Sequence, residues 1–423
     1  MNARAGIIVT GTEVLSGQIT DRNGPWVAAR LLDLGVDVAH LGVCGDRPHD
    51  MTAQLAFLAG QGVDLIITTG GLGPTADDLT VATVAEFCGR PLRVDDDLER
   101  AIAGIIRRWR RVPDDEELPS SLIAAVTKQA QVPDGATPIA PTGTAPGIAI
   151  PATGDLPPVL ILPGPPRELR AMWPGALATA PVAGVLARRI DVVHQSIRAY
   201  GLSEPDLAQT LRRAETELPG LSALEVTTCM RDGELEIDSR FGRADTDRYD
   251  ALKALLRQAH PQEIYSPDGA SLDDVLAGLL DGWTIATAES CTGGMVAARL
   301  TDRAGSSSYM LGGVVSYANE VKSGVLGVPT ALIDEFGAVS EPVAAAMAEG
   351  ARRVTGAGIA ISTSGIAGPG GAVPGKPVGT VCFGLAIDGR PTTTATRHFH
   401  GGRAMVRTLA TVYALHLVRR ALG

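Results

Sequence analysis

Four times in this sequence a short apolar run ends abruptly in a glycine-rich turn. Residues 5–10 enter Gly11-Thr-Glu13, and residues 64–69 enter Gly70-Gly-Leu-Gly73. Residues 285–289 enter Ser290-Cys-Thr-Gly-Gly294, and residues 358–363 enter Ser364-Gly-Ile-Ala-Gly-Pro-Gly-Gly371. Stretches of helical periodicity lie between such runs, for example at residues 23–35 and 51–60. Short strands alternating with helices imply parallel sheets covered by helices. The predicted fold class is α/β. In such sheets ligands sit beyond the carboxyl ends of the strands, where these turns fall.

A chain of 423 residues is too long for one typical core, so two or three domains are expected. Prolines and glycines over residues 133–158 mark loops and a hairpin. The run at residues 159–162 then enters Pro163-Gly-Pro-Pro-Arg-Glu168, whose prolines fix a turn before a short helix. From about Ile190 the texture changes. Strand-like residues 197–200, 224–229 and 235–241, with helices from Glu204 and over 245–260, read as a small α+β unit without reactive clusters. A boundary near Ser266-Pro-Asp-Gly269 opens the last part, with strands around Thr284, Val314, Ile359 and Val378. Its final helix covers 403–422, with Met405, Leu409, Val412 and Leu415 on one face. The expected plan is two α/β three-layer domains with parallel-rich sheets, 1–172 and 265–423, joined by a small α+β middle domain, 173–264.

The formal charge of −10 and an aromatic content of 4% give neither a nucleic-acid footprint nor stacking platforms. Only Arg107-Arg-Trp-Arg-Arg111 is locally basic, and Asp114-Asp-Glu-Glu117 follows it, so it reads as a solvated helix face. Five scattered cysteines form no C-x-x-C pair, which favours a reducing compartment. Neither a signal-peptide core nor an apolar run approaching the ~20 residues that span a bilayer is found. The expected setting is the cytoplasm, with no nucleic-acid or membrane partner. Only four residues are lysine (Lys128, Lys253, Lys322, Lys376) in a chain that otherwise uses arginine. Lysine can lose its proton when desolvated, and arginine cannot.

Ser290 falls at a strand end just before a helix, a place suited to a nucleophile. Backbone N–H groups near Thr292 and Gly293 are expected to hold an oxyanion, with Gly294 beside them as a substrate contact. A Ser-His-Asp set is not evident, because the histidines beyond Ser290 are His398, His400 and His416. His398 and His400 read as a surface pair. Lys322, just past Ser316-Tyr-Ala-Asn319, offers a different base: an amine in a dry pocket can be neutral and accept the serine proton. The phenol of Tyr317 could relay that proton. On the residues alone, Tyr317 could equally edge a core and Lys322 could be a solvated charge. Cys291 is a rival nucleophile that lacks a histidine to activate it. Gly368, Gly370 and Gly371, with Arg403, suit a phosphate.

In the first part, Thr69-Gly-Gly-Leu-Gly-Pro-Thr-Ala-Asp-Asp-Leu-Thr80 joins a glycine turn to paired carboxylates. The N–H groups of Gly70, Gly71 and Gly73 suit phosphate, with Thr69, Pro74 and Thr75 beside them. Asp77 and Asp78 could hold a hard cation across pyrophosphate oxygens. Thr75 or Asp78 as a helix cap is the alternative. Gly11, Glu13 and Asn23 add a carboxylate and an amide. Asp95-Asp-Asp97 reads as a helix start.

Thr287-Ala-Glu-Ser-Cys-Thr-Gly-Gly294, Ser316-Tyr-Ala-Asn-Glu-Val-Lys322 and Ser364-Gly-Ile-Ala-Gly-Pro-Gly-Gly371 occur in order and resemble the three motifs of the CinA carboxy-terminal domain. That resemblance implies a nicotinamide-mononucleotide amidohydrolase that releases ammonia and needs no cofactor. Its catalytic set falls on Ser290, Tyr317 and Lys322, with Glu289 and Asn319 added as substrate contacts. Residues 13–23 and 69–80, together with Gly143-Thr-Ala-Pro-Gly147 and Pro163-Gly-Pro-Pro-Arg-Glu168, resemble the molybdopterin-binding-like front domain of full-length CinA proteins. The implied activity there is an ADP-ribose pyrophosphatase, or one acting on an NAD-like dinucleotide, using Mg²⁺, Mn²⁺ or Co²⁺, with Gly143 and Thr144 among its contacts. Ala140 stands where the family usually carries Asn. The resemblance also implies a homodimer. Other readings make the front domain a non-hydrolytic binding module, or the protein an accessory factor in DNA uptake.

Overall fold

The structure is a computed structural model that describes residues 3–113, 116–189 and 191–423. Ile190, and Asp114 and Asp115 of the acidic run, lie outside the described residues. The chain forms two compact units, Met1–Val193 and His194–Gly423.

The first unit runs β1 (Arg4–Thr10), α1 (Thr12–Leu15), α2 (Gly24–Asp33), β2 (Asp37–Cys44), α3 (Pro48–Gly60), β3 (Leu65–Thr69) and α4 (Thr80–Phe87). It continues through β4 (Leu92–Val94), α5 (Asp96–Arg110), α6 (Ser120–Gln129), β5 (Gln131–Pro133), β6 (Thr137–Ile139), β7 (Gly147–Ile150), β8 (Val159–Leu162), α7 (Pro166–Ala178) and α8 (Ala180–Leu186). Six strands form one sheet in the order β2-β1-β3-β8-β7-β6, while β4 and β5 make a separate ribbon. Pairing is parallel from β2 to β8 and antiparallel through β7 and β6. The predicted hairpin is the β6–β7 pair.

Every residue of β3 and β8 is buried, because successive side chains point to opposite faces and both faces are covered. Ile8 and Ile66 pack into one core with α3 residues Met51 and Leu55. Their neighbours Ile7 and Ile67 pack into another with Leu31 of α2 and Trp173 of α7. Fully burying each such side chain contributes about 1.5–3 kcal/mol. Asp95 caps α5 by accepting from the Leu98 N–H at 3.0 Å, the helix start the acidic triplet predicted.

The second unit opens with β9 (Val192–Tyr200), α9 (Glu204–Glu217), β10 (Glu225–Arg231), β11 (Glu234–Gly242), α10 (Thr246–Ala259) and β12 (Ile264–Ser266). These strands form a four-stranded sheet ordered β10-β11-β9-β12. There follow α11 (Leu272–Leu279), β13 (Ile285–Glu289), α12 (Met295–Thr301), β14 (Met310–Val315), α13 (Asn319–Gly324), α14 (Thr330–Phe336) and α15 (Glu341–Thr355). The chain closes with β15 (Ile359–Gly365), β16 (Thr380–Ile387), β17 (Thr393–His398) and α16 (Arg403–Leu422). The second sheet is ordered β14-β13-β15-β16-β17, with the first three strands parallel and the last two antiparallel.

The single apolar face expected for α16 is not what is found. Met405 is exposed, whereas every residue from Ala410 to Leu415 is buried. Packing against α11, α12, β15 and β16 surrounds the helix, so a one-sided pattern is not required.

His416 lies in a seam between α16 and the four-stranded sheet. Its Nδ1 accepts from Arg419 Nε at 3.0 Å, so the ring proton sits on Nε2, which faces Glu234 Oε1 at 3.0 Å. The Tyr265 hydroxyl donates to the same oxygen at 2.6 Å, and Tyr200 stacks on the imidazole with centroids 3.7 Å apart. Burial lowers the His416 pKa to about 4. Burial raises the Glu234 carboxyl, but hydrogen bonds from His416 and Tyr265 outweigh it and hold it below its ordinary value. Among the described residues no helix is long and apolar enough to cross a membrane.

Candidate active site

All five residues of β13 are buried, and this interior strand delivers Ser290 to the carboxyl end of the second sheet. The turn beyond it is held from several sides. The Ser290 N–H donates to Thr363 O at 2.9 Å, and the hydroxyls of Thr292 and Thr363 lie 2.6 Å apart. The Gly293 N–H donates back to Ser290 O at 3.1 Å, with φ of 61° at Gly293 and 96° at Gly294, conformations that glycine adopts without penalty.

Glu289 has a different task from the substrate contact expected of it. It is buried, and its carboxylate accepts from the N–H groups of Gly294 (2.9 Å), Val296 (3.0 Å) and Ala297 (2.8 Å). These are the orphan donors at the start of α12, satisfied here from inside. The oxyanion expectation therefore fails for Gly293, whose N–H is already committed to the turn, and the Gly294 N–H is likewise taken by Glu289. Thr292 is fully buried and does not line the cavity.

Lys322 lies on α13 and is 1% exposed. Its Nζ contacts Ser316 O at 2.8 Å, Tyr317 O at 3.2 Å and Ser290 Oγ at 3.3 Å. Burial lowers its pKa from the ordinary 10.5, against the smaller opposing influence of Cys291 and Glu320. A neutral amine has two N–H bonds and one lone pair. The two carbonyls accept the two hydrogens, which leaves the lone pair for the Ser290 hydroxyl. The bland reading of Lys322 as a solvated charge is excluded.

Tyr317 departs from its expected use. The residue is 62% exposed, and its hydroxyl accepts from Arg403 Nη2 at 3.2 Å. Toward the amine it presents its backbone carbonyl, not its phenol. Arg403 Nη1 also donates to Gly368 O at 2.9 Å, tying the mouth of the site to the glycine loop. Cys291 is buried, and burial pushes its thiol up to about 12, so it is a poor nucleophile.

Ser290, Cys291, Tyr317, Asn319, Lys322 and Arg403 line one cavity of about 210 Å³, together with Ala338, Val339, Ser364, Gly365 and Ala367. Among the described residues, no carboxylate lies on this wall. Gly368, Gly370 and Gly371 stand outside it. Sequence reasoning missed Arg407, which donates from Nε to Cys291 O at 3.1 Å and from Nη2 to Thr292 O at 2.9 Å. The signal was its position four residues after Arg403 on one helix, where side chains share a face.

In the first unit a cavity of about 750 Å³ opens beyond the carboxyl ends of β1, β3 and β8. Gly11, Glu13, Asn23, Thr69, Gly70, Gly71, Gly73, Asp77, Asp78 and Thr144 all line it. Pro74, Thr75 and Gly143 do not. Gly70, at φ 110°, passes so close to Thr10 that a Cβ would sit 2.3 Å from its carbonyl oxygen. Gly143 leaves room for Glu168, whose carboxyl would meet a Cβ there at 2.3 Å. Thr69 is fully buried, and its hydroxyl donates to Pro163 O and accepts from Asn23 Nδ2, both at 2.9 Å. It braces the wall.

Thr75 donates to the Asp78 carboxylate from its N–H at 2.9 Å and from its hydroxyl, so the capping alternative holds for this pair. Among the described residues no group of three or more His, Cys, Asp or Glu is placed to hold a metal. Asp77 and Asp78 both line the cavity beside the glycine turn, and carboxylate oxygens are the donors a hard cation takes together with water and substrate phosphates. Glu168 and Gln129 also line this cavity and were missed. Burial raises the Glu168 carboxyl. Glu168 ends a motif quoted above, whereas Gln129, at the end of α6, has no local signal.

Residues 271–422 match the CinA C-terminal domain, and residues 6–180 match the probable molybdopterin binding domain. A CinA-like protein of Mycolicibacterium gilvum (strain PYR-GCK) is 56% identical over 424 residues, covering 100% of this chain and 99% of that protein. A CinA-like protein of Mycobacterium tuberculosis (strain ATCC 25618 / H37Rv) is 53% identical over 425 residues, covering 100% and 98%. Among solved structures, a competence-damaged protein (CinA) superfamily member from Klebsiella pneumoniae is 37% identical, covering 36% of this chain and 95% of that one at a TM-score of 0.35. From end to end, then, the chain belongs to the CinA family and carries a molybdopterin-binding-like domain at its front.

Proposed function

We propose that the second unit is a serine amidohydrolase that converts nicotinamide mononucleotide to nicotinate mononucleotide and ammonia. The observation that carries this reading is the buried Lys322 amine, held by two backbone carbonyls with Ser290 Oγ 3.3 Å away, so that loss of its proton leaves a lone pair for the serine hydroxyl. Ser290 gives its proton to Nζ as Oγ attacks the carboxamide carbon. The tetrahedral intermediate collapses, Nζ returns the proton to the leaving nitrogen, and ammonia departs. Water then cleaves the acyl-serine with Lys322 again taking a proton. For the oxyanion, the cavity wall offers the Cys291 backbone and the Asn319 amide.

The cavity holds about seven water volumes at roughly 30 Å³ each. It admits an aromatic amide and leaves the ribose phosphate at the mouth, near Arg403. A wall without carboxylates suits an anionic substrate. Purified wild type should release ammonia from nicotinamide mononucleotide, and Ser290→Ala should release none. Full turnover by Ser290→Ala would defeat the reading.

For the first unit we propose hydrolysis of ADP-ribose or a related dinucleotide pyrophosphate. Asp77 and Asp78 would hold a divalent cation, which neutralises pyrophosphate charge when bound. The alternative of a binding module without hydrolysis is favoured by the bond that commits Asp78 to Thr75. AMP release from ADP-ribose in Mg²⁺, Mn²⁺ or Co²⁺ separates the two. We also propose a homodimer, to be checked by sedimentation.

A further inference from the structure

Two helices support the turn that carries Ser290. The N-terminus of α12 continues directly from it, held by the Glu289 carboxylate. α16 reaches the same turn through Arg407, whose guanidinium donates to Cys291 O and Thr292 O. Followed away from the site, both helices lead to one carboxylate. Glu234, the first residue of β11, is 8% exposed. Its Oε1 accepts from His416 Nε2 of α16 at 3.0 Å and from the Tyr265 hydroxyl of β12 at 2.6 Å. Its Oε2 lies 3.8 Å from Arg299 Nη2 of α12.

A buried carboxylate is tolerated where hydrogen bonds and opposite charge compensate it, and here each compensating group comes from a different element. Arg299 is fixed in turn, because its Nε donates to Asp273 Oδ1 at 2.9 Å. The turn between β10 and β11 closes on α16 as well: a Cβ at Gly233 would sit 3.0 Å from Leu409 Cδ2. His416 lies nine positions after Arg407, about 14 Å along a helix that rises 1.5 Å per residue. A helix of that length moves as one body, so the placement of its His416 end sets the placement of Arg407. Glu234, Arg299, Arg407 and His416 do not line the Ser290 cavity.

We infer that Glu234 is a positioning residue for the amidase site: it fixes the far ends of α12 and α16, and Arg407 passes that placement to the turn that carries Ser290. This rests on the second unit being the serine amidohydrolase proposed above. It gives the four-stranded sheet, which supplies no group to the cavity wall, a part in turnover.

The test is ammonia release from nicotinamide mononucleotide by the full-length protein, with folding checked by circular dichroism. Glu234→Ala should lose about tenfold in kcat with KM held within about twofold, since a displacement of about 1 Å can cost a hundredfold and no substrate contact is touched. Arg407→Lys, which keeps the charge but cannot span both carbonyls, should lose a similar factor. The double variant should lose no more than the worse single one, because both changes act along one path. Where Glu234→Ala does not fold, His416→Leu breaks the same contact from α16 and should show the same losses. A folded variant with wild-type kcat, a loss confined to KM, or a double variant that loses the product of the two single factors would overturn the inference. Absence of ammonia release by wild type would instead defeat the amidase reading.

Discussion

Replacing Lys322 by methionine keeps the length and apolar stem of the side chain and removes its amine. Two carbonyls, Ser316 O and Tyr317 O, lose a donor. Each buried acceptor left unpaired costs about 1–3 kcal/mol. Against that, the variant no longer desolvates an amine, so the net change in stability should stay within about 2 kcal/mol. The catalytic change should be far larger. A positioned base contributes roughly 10²–10⁴-fold, which is about 3–5 kcal/mol of barrier. Ammonia release from nicotinamide mononucleotide, read beside urea unfolding, separates the two effects. Wild-type rate should rise with pH through an inflection below 10.5, and the residual rate of the variant should lack it. The lowered folded pKa means the unfolded chain binds more protons below pH 10.5. Wild-type stability therefore climbs with pH in that window, and the climb should flatten in Lys322→Met. A folded variant that keeps more than a tenth of wild-type kcat would refute the role of the amine.

Tyr317→Phe should keep kcat within about threefold, since the phenol bonds Arg403 and not the Ser290–Lys322 pair; a loss of a hundredfold would restore the proton relay. Glu289→Gln should cost about 2–4 kcal/mol in urea unfolding, because one amide oxygen cannot serve three N–H donors and its NH₂ faces others; an unchanged midpoint would show the cap to be dispensable. The folded pKa of His416 lies below its unfolded 6.5, so stability should fall by roughly 2–3 kcal/mol as pH drops from 6.5 toward 4, and His416→Leu should remove most of that slope. AMP release from ADP-ribose should disappear on chelation and in Asp77→Asn/Asp78→Asn; persistence after chelation would remove the metal from the reaction, and persistence in the double variant would move it elsewhere.

Much of this architecture can be read directly from sequence pattern. Residues 65–67 and 159–162 are apolar throughout because β3 and β8 are covered on both faces, and such runs can be recognised without partners. The residues of the Ser290 cavity were legible as chemistry, since a serine at a strand end and a lysine in an arginine-rich chain both stand out. Their second contacts were not. Glu289 looks like a site residue because it precedes the nucleophile, and only the turn shows that three N–H groups consume it. Whether the Tyr317 phenol points to Lys322 or to Arg403 depends on a helix 86 residues later in the chain. The α16 face was misjudged for the same reason: neighbours distant in sequence bury it on more than one side.

The sharpest test follows the charge state of one amine. With only four lysines, the Cε resonances of protein carrying ¹³C-labelled lysine can be resolved, and the Lys322 signal assigned by its loss in Lys322→Met. That signal should titrate below 10.5, and Ser290→Ala should leave it below that value. A Lys322 signal that titrates at or above 10.5 in the folded protein would mean a permanently charged ammonium, which cannot take the serine proton.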